Sequence, residues 1–297
     1  MIVTLKNHTM TARIDSIGAQ LISLKSKSGT EYIWQRDPAH WKSCSPLLFP
    51  TVGNCRDGKY TLNGKIYTIP KHGFCRNADF TVSVLSEQEA SFILTDSPET
   101  RAHYPFAFHL KLTYALTEDG IRIHYTVTNP GTGPMYYQLG AHPGFNCPLQ
   151  SGERFEDYVL EFEQEGTAGY HSYDLNRMEF NMNSYTPILD HAAVIPLTHE
   201  LFANDAIFFT DLRSKKVALK NQATGYGVEV SYPDFATVAF WTAAATKAPF
   251  LCVEPWNGSA IRSDEDDNFL NRHFLQKLEG EASKEYRIEI KKISQQL

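Results

Sequence analysis

Apolar and polar residues alternate along this chain in short runs separated by turn-forming residues, and sustained stripes with a 3.6-residue period are rare. The pattern predicts a mostly β protein. Lys59 to Leu62 and Lys65 to Ile69 flank Asn63-Gly64, a dipeptide whose tolerance of positive φ suits a two-residue type I′ turn, so a hairpin is expected there. Asp79 to Leu85 with Ser91 to Thr95 reads as a second hairpin. Phe108 to Leu116 and Ile121 to Thr128, joined through Asp119-Gly120, make a third, and Met135 to Ala141 supplies the next strand before Pro143-Gly144 ends it. Further strands are expected at Tyr158 to Glu163, Ala206 to Thr210, Lys216 to Lys220, Gly227 to Ser231, Val238 to Trp241, Phe250 to Val253 and Tyr286 to Ile290. Helical turns are expected at Pro38 to Trp41, Pro98 to His103 and Glu200 to Ala203, and an acidic loop from Ser263 to Asn268 leads into a helical stretch from Phe269 to Leu278. So many strands with hairpin-length links favour an antiparallel sandwich of large sheets over a βαβ array. With no linker rich in Gly, Pro or Ser and no internal repeat, a single domain over residues 1–297 is the simpler reading.

Composition changes that picture only by excluding partners. At 42% apolar and 12% aromatic residues the 297-residue chain has enough material for a sizeable core. A formal charge of −6 with no block of Lys and Arg argues against a nucleic-acid partner. The five cysteines, Cys44, Cys55, Cys75, Cys147 and Cys252, are scattered and never spaced as CxxC, so neither a zinc cluster nor a disulfide framework is expected. The N-terminus lacks the apolar core of a signal peptide, and no run of about 18 apolar residues occurs. A cytoplasmic protein with no membrane partner is the expectation, and the oligomeric state is left open.

Four places join a titratable group to a strand end or tight turn, where side chains face a cleft on a rigid frame. Arg56 and His72 stand on either side of the Asn63-Gly64 hairpin and are candidates to meet at its open end; the plainer alternative pairs Arg56 with a surface carboxylate and leaves His72 as a turn residue. His142 is held extended by Pro143 and is a candidate general acid, its ordinary pKa near 6.5 being close to neutrality, or else a structural histidine. Glu254 closes an almost wholly apolar strand and is fixed by Pro255, which suits a general base whose basicity is raised by its surroundings, the alternative being a strand end turned to solvent. Asp205 precedes an apolar strand, where a cap or turn is the default. The sequence contains no HxH, HExxH, GxSxG, GxxxxGK[ST] or strand-borne GxGxxG motif, so no metal or organic cofactor is indicated.

The succession Pro50, Gly53, Arg56, Gly58, Tyr60, Asn63-Gly64-Lys65, Tyr67, His72-Gly73-Phe74 and Arg76, then His142-Pro143, Asp205 and Glu254-Pro255-Trp256, resembles the aldose 1-epimerase (galactose mutarotase-like) family nearly end to end. The resemblance implies a β-supersandwich that interconverts the α and β anomers of a hexose or hexose phosphate without a cofactor. Carried over residue by residue, it makes Glu254 the base at the anomeric hydroxyl and His142 the acid at the ring oxygen. His72 then hydrogen-bonds at the anomeric end, Arg56 orients the sugar and Asp205 accepts from further hydroxyls. Trp256, Trp241 or Phe145 would cover the apolar face of the ring. Gly73-Phe74-Cys75-Arg76 is closer to the hexose-6-phosphate branch, and Gly144 stands where galactose enzymes carry an aromatic residue, which argues against galactose. Lys71 and Arg76 would bind a phosphate if they face the cleft. The alternatives are a non-catalytic sugar-binding protein on the same scaffold and, more distantly, a glycoside hydrolase built on Glu254 with Asp205 or Asp211.

Overall fold

A computed structural model describes residues 1–294, and in it the alternating pattern has become antiparallel sheet. The largest sheet has nine strands in the spatial order Thr186–Pro196, Tyr158–Tyr170, Lys216–Asn221, Gly227–Ser231, Ser283–Ile293, Gly120–Thr128, His109–Leu116, Glu89–Thr95 and Thr81–Val84. Along His109–Leu116 every second residue is buried, so Leu110, Leu112, Tyr114 and Leu116 form the inward face. A six-stranded sheet runs Ile207–Phe209, Thr237–Trp241, Phe250–Asn257, Leu139–Ala141 and Leu47–Leu48, with Gly144–Asn146 also paired to Phe250–Asn257. The two sheets pack face to face: the Phe162 ring of the first lies 6.5 Å from Phe209 and 5.9 Å from Phe240 of the second. One hydrophobic cluster extends through both, from Val3 to Ile290.

The hairpins stand where turn chemistry puts them. Leu62 faces Lys65 across Asn63 at φ 49° and Gly64 at φ 75°, the two positive values that a type I′ turn requires. Leu116 faces Ile121 across the longer loop Thr117 to Gly120, closed by Thr117 N–H donating to Gly120 O and with neither Asp119 nor Gly120 at positive φ. Among the described residues the single α-helix is Pro98–His103, closed at its start by reciprocal bonds between Ser97 and Thr100. All five cysteines are free and buried, and among the described residues no helix is long and apolar enough to cross a membrane.

Three departures from the sequence expectation have physical causes. Ile2–Lys6, Met10–Asp15 and Gln20–Ser26 form a three-stranded sheet in a region where no strands were expected, with Val3, Leu5, Ala12 and Ile14 turned to the core. The expected strand from Met135 to Ala141 is broken at Gln138, whose backbone N–H donates to Pro50 O and whose side chain accepts from Val52 N–H and donates to His273 O. Phe269 to Leu278 is not helical; a short 3₁₀ turn, Phe269–Asn271, leads to the strand Gln276–Leu278 on Met135–Tyr137. Pro38 to Trp41 does form the expected turn, with His40 and Trp41 N–H donating to Asp37 O. The Phe269–Leu278 region follows a tertiary demand that overrides local propensity. Arg272, 4% exposed, forms an ion pair with buried Glu265 at 3.3 Å, donates to Ser259 O at 2.6 Å and reaches Cys55 Sγ at 3.1 Å.

This buried pair fastens the loop after Phe250–Asn257 to the segment carrying Cys55. Arg272→Met strands the Glu265 carboxylate without its cation, so the expected loss of stability is about 3–5 kcal/mol, measured as a lower urea midpoint at unchanged slope.

Candidate active site

Strand Phe250–Asn257 is buried along its whole length, and Glu254, 2% exposed, sits at its middle opposite Ala239 of Thr237–Trp241. Its other edge meets two short strands joined by His142-Pro143. Gly140 faces Trp256 before the gap and Gly144 faces Cys252 after it. The register is the same on both sides, which sets His142 opposite Glu254. Pro143 and Pro255 have no N–H to give a ladder, so the pairing opens there and the two side chains approach instead. His142 Nε2 lies 3.1 Å from Glu254 Oε2.

His72 arrives from a separate loop in which the chain doubles back tightly. It has φ 69° and is followed by Gly73 at φ 74°, where a Cβ would fall 2.1 Å from Phe49 O, so only glycine fits. Gly53 N–H donates to His72 Nδ1 at 3.1 Å, which leaves the proton of the neutral ring on Nε2. The His72 and His142 rings meet edge to face at 5.7 Å. These residues line a cavity of about 290 Å³ together with Asp205, Lys71, Arg76, the three indoles Trp41, Trp241 and Trp256, and Tyr173 and Phe180. Trp41 stacks on His142 at 5.0 Å while Trp241 meets it edge-on at 5.9 Å.

The charges in this cavity are governed by burial. Desolvation pushes Glu254 well above the ordinary carboxylate range; nearby Asp205 pushes it further and Lys71 opposes. Burial, with Arg76 and Lys71 adding to it, pushes His142 down to about 3, and His72 is held well below its ordinary value by burial, then His142, Lys71 and Arg76. Both members of the His142–Glu254 pair are thus driven to their uncharged forms. With the proton on the carboxyl and Nε2 accepting, the imidazole hydrogen sits on Nδ1, which is buried without a partner. Cys252 adds a donor atom within 4.8 Å of those of His142 and Glu254, a set that sequence spacing did not reveal, but burial raises its thiol well above the usual range and disfavours the thiolate that a metal requires.

The fold therefore brings together Glu254, His142, His72, Asp205, Arg76 and Trp256 of the residues singled out in the sequence. Arg56 does not line the cavity: its guanidinium bonds Asp267 at 2.7 Å and Glu179 at 3.1 Å, the carboxylate pairing that was its plainer alternative. It braces the rim, because Glu179 belongs to the short strand Glu179–Phe180 that carries a cavity wall. Phe145 is fully buried away from the cavity, so the aromatic walls are the three indoles with Tyr173 and Phe180, and not the phenyl ring beyond His142-Pro143. Trp41, Tyr173 and Phe180 were missed. Trp41 stands in an irregular loop, and Tyr173 pairs with Phe180 in a two-rung hairpin too short to leave a period.

The family model described as aldose 1-epimerase matches residues 1–266. The chromosomal and plasmid forms of protein LacX from Lactococcus lactis subsp. lactis are each 34% identical over 271 residues, 89% of this chain and 90% of theirs. Among solved structures, a galactose mutarotase related enzyme from Lactobacillus acidophilus superposes with a TM-score of 0.93 at 30% identity, covering 99% of this chain and 98% of its own. A galactose mutarotase-like protein from Lactobacillus casei ATCC 334 gives 0.91 at 29% identity, covering 99% and 100%.

A carboxyl whose pKa is raised on folding stabilises the folded state below its ordinary value of 4.5, and that contribution is lost as pH rises through the folded value. Removing its charge should therefore help most at high pH. Glu254→Gln is expected to raise the melting temperature by about 2–4 °C at pH 8 and little at pH 4, as calorimetry at the two pH values would show.

Proposed function

The chain belongs to the aldose 1-epimerase family, and from that membership and the pocket's chemistry we propose that it is a mutarotase interconverting the α and β anomers of a hexose. The observation that carries this reading is a buried histidine–carboxylate pair in direct contact inside an indole-walled cavity. Both oxygens involved in anomerisation, the anomeric O1 and the ring O5, are bonded to C1, so an acid and a base within hydrogen-bond reach of one another can serve both.

The protons balance within the pair. In the reading we propose, the proton shared by Glu254 and His142 moves to the imidazole as the sugar enters, giving a carboxylate base and an imidazolium acid with no change of net charge. Glu254 takes the proton from O1 as His142 gives one to O5, and the C1–O5 bond breaks to a free aldehyde. The pair is then in its uncharged form, the one that burial favours, while the open chain rotates about C1–C2. Closure on the other face returns both protons. His72 Nε2–H donates at the anomeric end, Asp205 accepts from hydroxyls, and the indoles cover the apolar face of the ring. A cavity of about 290 Å³ is small, in keeping with a single monosaccharide ring.

The test is polarimetry or NMR of freshly dissolved α-glucose with and without protein. Each proton transfer is typically worth about 10²–10⁴-fold, so Glu254→Gln and His142→Asn should each lower the catalysed rate by that order. Full rate in either variant overturns the mechanism, whereas saturable sugar binding in the wild type without acceleration favours the non-catalytic alternative. Because the pair must keep one proton for His142 to give to O5, and the raised Glu254 pKa marks where that proton is lost, kcat/KM should fall as pH rises through that value. Asp205→Asn removes a neighbouring negative charge and should move that basic limb to lower pH.

A further inference from the structure

Gly144 is a glycine that its own backbone does not require. Its φ is not positive, and it stands in the strand Gly144–Asn146 paired to Phe250–Asn257, so conformation alone would admit a larger residue. Space excludes one: a Cβ here would fall 3.0 Å from Trp41 Cζ3, 3.2 Å from Cys44 O and 3.3 Å from Cys252 Sγ. Residues opposite one another on antiparallel strands share a face. His142 with Glu254, Gly144 with Cys252 and Trp241, and Asn146 with Phe250 are therefore successive rows on the face that carries the cavity. The absent side chain at Gly144 leaves a hole in the middle row. The indole of Trp41 fills it, 5.0 Å from the His142 ring, 5.4 Å from Trp241 and 5.5 Å from Phe250.

The loop that brings this indole hangs from the same glycine. Gly144 N–H donates to Cys44 O at 2.7 Å and Gly144 O accepts from Trp34 N–H at 2.9 Å, so both ends of the segment 34–44 close on one residue, in the manner of an Ω-loop. Within it Trp34 Nε1 donates to Trp41 O at 2.9 Å, and His40 Nδ1 meets Thr246 Oγ1 at 2.8 Å. Trp41 is thus placed relative to His142 through Gly144, two residues along the chain. His142 needs such support because hydrogen bonds supply little of it. Its Nε2 meets Glu254 at 3.1 Å, while its Nδ1 is buried without a partner. A histidine that moves protons is commonly oriented by a carboxylate or carbonyl on its second nitrogen. Here aromatic neighbours enclose the ring instead, Trp41 at 26° to its plane and Trp241 and His72 edge-on at 82° and 79°.

We propose that Trp41, lent by its loop to the empty place at Gly144, is a positioning residue for His142: its indole holds the imidazole plane against Glu254 and stabilises the imidazolium through its π-face. This rests on the mutarotase reading, in which that imidazolium is the acid at the ring oxygen. Burial favours the neutral ring, so the charged form arises out of water, where the face of an indole attracts a cation most strongly. Binding the sugar is a different use of the same ring, and it would show in KM where support of the proton transfer shows in kcat.

The experiment measures kcat and KM for glucose anomerisation by NMR in Trp41→Leu, Trp41→Phe and Gly144→Leu, each corrected for the spontaneous rate. Trp41→Leu keeps apolar bulk and removes the π-face, so kcat should fall about tenfold with KM within about twofold of wild type, whereas Trp41→Phe should keep most of the rate. Gly144→Leu puts a side chain where the indole lies and should lower kcat in the same way. Added to Trp41→Leu it should cost no more than about a further twofold, because both changes remove one contact. If Gly144→Leu does not fold, the two Trp41 variants carry the test by themselves. A raised KM at unchanged kcat makes Trp41 a wall for the sugar and overturns the proposal, as do equal losses in Trp41→Phe and Trp41→Leu or additive losses in the double variant. An active wild type whose Trp41→Leu variant keeps full kcat overturns the proposal alone, and a wild type that accelerates no anomerisation overturns the mutarotase reading and the proposal with it.

Discussion

The site depends on a gap in a β-ladder. Phe250–Asn257 is paired on one side without interruption and on the other by strands that share one register across three missing rungs. Prolines after His142 and after Glu254 create the gap, and the register decides which side chains face each other across it. A one-residue slip would turn Glu254 to the opposite face of the sheet and separate the pair. The His142–Glu254 contact is thus as rigid as the sheet, which is what the proposed reaction at a single carbon would demand of its acid and base.

Holding two ionisable groups out of water is unfavourable unless they share charge or neutralise one another, and the pocket does both. His142 and Glu254 meet at 3.1 Å and are driven to a joint uncharged state, while His72 is neutral with its Nδ1 tied to Gly53. Asp205 on one side and Lys71 with Arg76 on the other act on this pair in opposite directions. Indole walls exclude water, which strengthens each of these interactions. The stability offsetting such a site comes from elsewhere, in the aromatic packing between the nine-stranded and six-stranded sheets and the buried Arg272–Glu265 pair behind the pocket.

Much of this was legible in the sequence because it rests on local chemistry. Asn63-Gly64 announces a hairpin through backbone preference alone, and a glutamate ending an apolar run, or a histidine before proline, stands out against its neighbours. The N-terminal sheet was not read from the sequence: its buried positions alternate, but Ala12 and Ile14 are interleaved with ordinary polar residues, and its turns at Asn7 and at Gly18-Ala19 lack an Asn-Gly or Asp-Gly pair. The pairing of His142 with Glu254 was named by resemblance; the register that produces it depends on which strands become neighbours. Arg56 shows the opposite limit. Its place in the sequence is compatible with either a sugar or a carboxylate, and only the position of Glu179, more than a hundred residues away, decides between them.

Aromatic richness follows the same division. Most of the tyrosines and phenylalanines pack between sheets, as their alternation implies, and Phe145, just beyond His142-Pro143, proves to be one of these. Beside Tyr173 and Phe180, the rings that wall the cavity are indoles from three unrelated places: the irregular loop holding Trp41, the end of a central strand with Trp241, and the position after Glu254-Pro255 with Trp256. Trp41 differs from the other two because its backbone is fixed only by its own loop, through Asp37 and Trp34, and not by a ladder. One ring therefore stacks on His142 and is held by its own loop. A change there leaves undisturbed the register that sets His142 against Glu254.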